Sequence, residues 1–238
     1  MVRRALSGSA GHFDGIVFDC DGVLVDSEVL SMKVSQRMVA DLGWDVDLAT
    51  MMEMFVGCSR EFFIEQVENN IGRPLGDGWD APYRGWLEEA FRGELTAIPG
   101  VIPALDEIGL PVAVASNSGH ERIRMSLRMV GMLQRFQGRI SSAEDVAAGK
   151  PAPDVYLRAA GVLGVAPERC IAVDDSTFGV EAAHRAGMHV LAYVGDGGSD
   201  WVRTGDRVEV LRDMSDLPGV VSRLVSTGRG TAARVGDI

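Results

Sequence analysis

Four short apolar runs punctuate the chain, GIVFD (15–19), PVAVASN (111–117), CIAVDD (170–175) and HVLAYV (189–194), with polar or acidic residues ending or following each. Each is too short for a buried helix and rich in Val or Ile, so each predicts a strand covered on both faces in a parallel sheet. Between them lie stretches whose apolar residues recur at helical spacing: HERIRMSLRMVGM (120–132), DVYLRAAGVLG (154–164) and STFGVEAAHRAG (176–187). The last two close on a glycine suited to the position just past a helix end. Strands alternating with helices predict an α/β fold built on a doubly wound parallel sheet.

Residues from about 27 to 95 break this rhythm. After the first predicted strand come SEVLSMKVSQRMVADLG, SREFFIEQVENNIG and GWDAPYRGWLEEAF, all of helical period, and no buried apolar run returns until Pro111. An inserted helical module is expected at 27–95, within a core formed by 12–26 and 96–225. Turn-like segments mark its borders, GVLVDS on entry and AIPG on exit, with Pro99 and Gly100 opening a helix of the core. The stretches 1–11 and 226–238 are aperiodic and rich in small residues and Arg, and are expected to fray.

Charge narrows the partners. A formal net charge of -11 repels phosphate backbones and anionic lipid heads, and no long Lys/Arg run offsets it, so neither nucleic acid nor membrane is an expected partner. An anionic substrate would need a local device such as a metal ion or a placed lysine. Cys20, Cys58 and Cys170 are odd in number and unrelated in spacing, which predicts no disulfide framework, no thiolate zinc site and a cytoplasmic location.

Ligands of open α/β sheets bind beyond the carboxyl ends of strands, so the residues ending the apolar runs are the ones to inspect. They are Asp19-Cys20-Asp21-Gly22, Ser116-Asn117 and Asp174-Asp175, with Lys150 between the last two in AGKPAPDVY. Phosphoryl transfer from a monoester needs a nucleophile, cationic charge on the phosphoryl oxygens and a proton for the leaving alkoxide. Asp19 suits the nucleophile, because carboxylates form aspartyl-phosphates. Asp21, two residues on along extended chain, suits the acid that protonates the leaving oxygen and then the base that activates water. Several carboxylates at one site call for a hard divalent cation, and Mg2+ fits an all-oxygen set. Asp19 and Asp175 are its expected carboxylate ligands, with the Asp21 backbone carbonyl a third and Asp174 binding directly or through water. Lys150 adds charge against Asp19 and a phosphate oxygen, while Ser116 and the backbone around Asn117 offer neutral donors.

Singly, these residues have plainer readings as turn formers, helix caps or a solvated lysine. Together they make one phosphoryl-transfer site in a consistent order along the chain. A thiol nucleophile at Cys20 is disfavoured by the flanking carboxylates, and a phospho-receiver module by the order of the acids and the helical insertion.

DCDGVLVDSE, VAVASNS, GKPAPDVY and VDDSTFG resemble, in order, the four motifs of the haloacid dehalogenase superfamily, and the resemblance covers residues from about 13 to 220. It implies a Rossmann-like core with an α-helical cap domain inserted after the first strand, and the same roles for Asp19, Asp21, Ser116, Asn117, Lys150, Asp174 and Asp175. The similarity is greatest to the β-phosphoglucomutase-like subgroup, and especially to sugar phosphatases of the bacterial 6-phosphogluconate phosphatase type. A phosphatase acting on a small phosphorylated metabolite, a sugar or sugar-acid phosphate, is therefore expected, working as a monomer. GCSRE (57–61) is similar to the cap's specificity loop, implying substrate contacts for Ser59 and Arg60, with Lys33 and Arg84 as further candidates. The mutases of the subgroup carry a cap histidine where this chain has Ser31, so hydrolase is favoured over phosphosugar mutase. A dehalogenase proper would need neither Asp21 nor the Asp174-Asp175 pair.

Overall fold

The computed structural model describes residues 13–55, 60–195 and 197–229. A six-stranded parallel sheet forms the frame: β1 (Gly15–Phe18), β4 (Val112–Ser116), β5 (Ile140–Ser142), β6 (Cys170–Asp174), β7 (His189–Tyr193) and β8 (Val208–Leu211), in the order β5-β4-β1-β6-β7-β8. Both faces of β1 are covered. Ile16 and Phe18 point into one apolar cluster and Val17 into the other, which is why the run shows no polar alternation. The Ile16/Phe18 face packs against α5 (Val101–Glu107), α6 (His120–Met129) and α9 (Leu217–Arg229). The Val17 face packs against α7 (Asp154–Leu163) and α8 (Thr177–Arg185), whose Ala159, Ala160, Ala182 and Ala183 let the helices approach closely.

All four predicted strands form, each within a residue or so of its expected limits. Two further strands of this sheet were not anticipated. β5 has three residues and two of them are serines, while VEVL of β8 alternates and stands at the sheet edge, so neither carries a continuous apolar signal. The stretch expected to fray from residue 226 is helical as far as Arg229, because α9 continues through it and Thr227 bonds back to the Arg223 and Leu224 carbonyls.

Between β1 and α5 the chain builds α1 (Glu28–Leu42), α2 (Leu48–Phe55), α3 (Arg60–Ile71) and α4 (Arg84–Glu94). α2 was not predicted, its LATMMEMF being short and apolar on most faces. α1, α2 and α3 share an apolar cluster around Met32, Val39, Met51, Phe55 and Val67, whereas Phe91 and Leu87 of α4 pack with the cluster that holds Ile16 and Phe18. Entry and exit are tied together by two short antiparallel strands, β2 (Val25–Asp26) against β3 (Thr96–Ala97), in the GVLVDS and AIPG border regions. No helix among the described residues is long and apolar enough to cross a membrane.

The strand order reverses around β1: the chain runs from β1 out through β4 to β5, then returns to β6 on the other side. That reversal opens a crevice at the carboxyl ends of β4, β1 and β6, where the sequence set its acids.

Candidate active site

Asp19 directly follows β1, Ser116 ends β4 and Asp174 ends β6, so three neighbouring strands deliver these side chains to one place. The register is fixed by the ladder beneath them, Phe18 lying between Val114 and Val173, and by the Asp19 amide donating to the Val173 carbonyl at 2.9 Å. Beyond Asp21 the chain reverses: the Gly22 amide bonds to the Val25 carbonyl, and the Leu24 and Val25 amides to Cys20. Gly22 makes the turn at φ 78°, and a side chain there would run into the Asp175 carboxylate.

Lys150 is the hub. Its Nζ lies 2.9 Å from Asp19 Oδ1 and 2.7 Å from Asp174 Oδ2, and only 4% of its side chain is exposed. Burial disfavours its charge, but the Asp174 and Asp19 carboxylates outweigh this and raise its pKa. The loop that carries it is pinned by Asn117, whose Oδ1 accepts from the Lys150 amide at 2.8 Å while its Nδ2 donates to the Lys150 carbonyl at 3.3 Å. Asn117's side chain thus braces the lysine loop, a task distinct from the backbone donor role expected of it.

Asp174 is fully engaged. Oδ2 accepts from Lys150 and from the Tyr156 hydroxyl at 2.5 Å, and Oδ1 accepts from the Ser176 amide and hydroxyl at 2.9 and 2.8 Å. Oxygens of Asp19, Asp174 and Asp175 all lie within 4.8 Å of one another. The crowding is visible in their ionisation: burial, then the neighbouring Asp174 charge against the pull of Lys150, pushes Asp19 up to about 7. Burial together with Asp174 and Asp19 raises Asp175 well above the ordinary carboxylate range. A hard cation among these oxygens would relieve both costs, so the donor set suits one.

Asp21 stands apart from that trio. Its Oδ1 accepts from Ser27 Oγ at 2.6 Å and Arg122 Nη2 at 3.1 Å, and its Oδ2 from Ser118 Oγ at 2.9 Å. Burial pushes its pKa up, but the Arg122 charge and these bonds outweigh it and hold the group below its ordinary value. Ser116 Oγ is buried and accepts from the Ser118 amide at 3.0 Å. Cys20 is buried, and burial with the Asp21 and Asp19 charges lifts its thiol well above the usual range, the opposite of an activated nucleophile.

Ser59 and the Arg60 and Arg84 side chains lie outside the described residues, and Lys33 sits at the surface, 3.4 Å from Glu94. Tyr156, Ser27, Ser118 and Arg122 were not singled out from sequence. Tyr156 closes the GKPAPDVY motif and Ser118 follows Ser116-Asn117 by one residue, so motif extent could have flagged both. Ser27 and Arg122 reach Asp21 only through the folded turn and the position of α6.

Gly179, in the first turn of α8, is equally constrained: a methyl group there would overlap the Asp174 carboxylate. Gly179→Ala is expected to destabilise the protein by about 2 kcal/mol or more, because the overlap outweighs the roughly 1 kcal/mol helix-propensity gain. A thermal melt several degrees below wild type, with reduced activity, is the outcome to look for.

Comparison with known proteins identifies the family. The model of the family described as haloacid dehalogenase-like hydrolase matches residues 16–193. The chain is 32% identical over 186 residues to 6-phosphogluconate phosphatase of Escherichia coli (strain K12), covering 78% of this chain and 84% of that one. It is 31% identical over 193 residues to hexitol phosphatase B of the same strain, covering 74% and 81%. A HAD family hydrolase from Deinococcus radiodurans R1, solved with bound phosphate and sodium, aligns with a TM-score of 0.74 at 29% identity, covering 90% of this chain and 97% of that one. The family match runs from β1 to the end of β7 and so spans every strand that feeds the site. The chain belongs to the haloacid dehalogenase-like hydrolase family.

Proposed function

We propose that the protein is a magnesium-dependent phosphatase that hydrolyses a small phosphorylated sugar or sugar acid through an aspartyl-phosphate on Asp19. The observation that carries this reading is the buried Asp19 carboxylate, held by Lys150 at 2.9 Å and ringed by Asp174 and Asp175 where three parallel strands end. The named activities of the 6-phosphogluconate and hexitol phosphatases support the substrate class.

Both bonds made by the Asp19 side chain, from the Cys20 amide and from Lys150, fall on Oδ1, which leaves Oδ2 to attack phosphorus. As the Oδ2–P bond forms, the bond from phosphorus to the leaving oxygen breaks and Asp21 donates that oxygen its proton. In the second half Asp21 takes a proton from water, the water oxygen attacks phosphorus, and Asp19 is regenerated with release of inorganic phosphate. A substrate dianion beside Asp21 pushes its pKa upward against the pull of Arg122, favouring the protonated form the first half requires. Lys150 and the Ser116 hydroxyl face the charge that develops on the phosphoryl oxygens.

The residues that would hold Mg2+ are Asp19, Asp175 and the Asp21 carbonyl. Asp174, whose oxygens are already spent on Lys150, Tyr156 and Ser176, would support from behind. When bound, the ion supplies positive charge that offsets the clustered carboxylates and the phosphoryl oxygens. In this reading residues 27–95 form a cap over a core of 12–26 and 96–225, joined at the β2–β3 pair, and one copy of the chain is the working unit.

Phosphate release from a panel of sugar, sugar-acid and sugar-alcohol phosphates, with Mg2+ and with EDTA, tests the proposal. Chelation is expected to lower the rate by about 10²-fold or more and added Mg2+ to restore it. Equal release with and without EDTA would remove the metal from the mechanism.

A further inference from the structure

A cleft of about 850 Å3 opens beside Asp21, between α1 and α4 on one side and α6 on the other. Much of its wall is apolar, including Met38, Phe63, Leu87 and Met125. Its charged lining is mostly acidic, with Asp80, Glu88, Glu121 and Glu144, and Arg122 is the cation among the described residues that line it. Two polar atoms on opposite walls are buried without a hydrogen-bond partner among the described residues: Ser31 Oγ on α1 and Arg122 Nε on α6. Native proteins rarely leave buried polar atoms unpaired, so each of these two calls for a partner, whether a water, an ion or a ligand group.

We propose that Arg122, with Ser31, binds a second anionic group on the leaving portion of the substrate, so that the preferred substrate is a phosphorylated acid and not a neutral sugar or polyol phosphate. This rests on the phosphatase reading above and narrows it. Arg122 helps to hold Asp21, together with the Ser27 and Ser118 hydroxyls at 2.6 and 2.9 Å, but that task leaves most of its donors uncommitted. The ion pair with Asp21 uses Nη2 alone, at 3.1 Å, out of the guanidinium's several donors. The Phe91 ring, 5.3 Å from Arg122 Cζ, steadies the side chain without consuming any of them. A planar, anchored guanidinium with donors to spare is suited to a carboxylate or phosphate. Among the described residues lining the cleft the other charges are acidic, so a second anion is drawn to Arg122, next to the residue that serves the leaving oxygen. Ser31 then meets a hydroxyl or oxygen of the same group from the α1 side.

The test compares three magnesium-supported substrates: a hexonate 6-phosphate, the matched hexitol 6-phosphate, which differs only in CH2OH for the carboxylate, and a hexose 1,6-bisphosphate. Wild type is expected to favour the hexonate over the hexitol by about 10- to 100-fold in kcat/KM, carried mainly by KM. Arg122→Met is expected to raise KM for the hexonate at least tenfold more than for the hexitol, and Arg122→Lys to restore part of the preference. A bisphosphate preferred over the hexonate identifies the second anion as phosphate and supports the same site. Equal wild-type use of hexonate and hexitol overturns the proposal even where Arg122→Met fails to fold. So does an Arg122→Met variant that slows both substrates equally, since Arg122 would then act only through Asp21. Failure of the wild type to release phosphate from all three would overturn the phosphatase reading together with this one, whereas equal release overturns this one alone.

Discussion

Asp19→Asn is expected to cut phosphate release by about 10⁴-fold or more while leaving the protein folded. The amide is nearly isosteric with the carboxylate, so Lys150 and the Cys20 amide keep an oxygen to bond, but no phosphoryl acceptor remains. Stability should move the other way from activity. Burial holds Asp19 at about 7 in the metal-free fold, against an ordinary 3.8, so the folded state binds the proton more tightly than the unfolded chain does. In EDTA the wild type therefore loses stability as pH rises from the ordinary carboxylate range through about 7. The asparagine variant lacks that loss, and its melting temperature in EDTA at pH 8 should equal or exceed that of wild type. Mg2+ should raise the wild-type melting temperature and raise that of the variant less, because a charged ligand has been removed. Phosphate release assays and melts with and without metal check both halves. Activity surviving in Asp19→Asn would exclude the aspartyl-phosphate route.

The contrast between what could and could not be read beforehand follows the range of the interactions. Asp19, Ser116 and Asp174 are legible because a strand buried on both faces is a continuous apolar run, and its polar end is where a ligand crevice must lie. The helical insertion is legible because a sheet rhythm stops and helical spacing takes over. β5 and β8 escape because edge strands of three and four residues need few apolar side chains. Within the site, Tyr156 and Arg122 sit on helices and look like ordinary core and surface positions. Their roles depend on α7 bringing a hydroxyl to Asp174 across 18 residues, and on α6 bringing a guanidinium to Asp21 across 101. Periodicity specifies which face of a helix is buried, not which side chain of a distant strand it meets. Asn117 shows the same limit: donors were expected of the backbone around it, and the bracing of the Lys150 backbone by its side chain carries no signal in the sequence.

Lys150→Met is expected to be the most damaging single change to stability in the site, at about 3–5 kcal/mol without metal, with activity reduced about 10²- to 10³-fold. Methionine fills a similar volume, so the cost is electrostatic. Removing the ammonium leaves Asp19 and Asp174 facing each other, and Asp175, with no cation among them, and Asp174 has no exposed surface through which water can compensate. Lys150→Arg should not rescue the loss. The lysine side chain is 4% exposed in a slot between two carboxylates, and a longer planar fork cannot place its charge there without displacing the loop that Asn117 holds. The electrostatic origin can be isolated by adding Asp174→Asn. Taking away one of the stranded charges should make the double variant more stable than the sum of the two single losses predicts, a coupling of about 1–3 kcal/mol. Saturating Mg2+ should recover part of the stability of Lys150→Met, because a divalent ion offsets the same carboxylates, but not its rate, because the positive charge that Lys150 presents to the phosphoryl oxygens is still missing. Denaturant unfolding of the two single variants and the double, each with Mg2+ and with EDTA, would decide the matter. Strict additivity would show that Lys150 is held by packing alone, and would sink the account of this lysine as the counter-charge of the site.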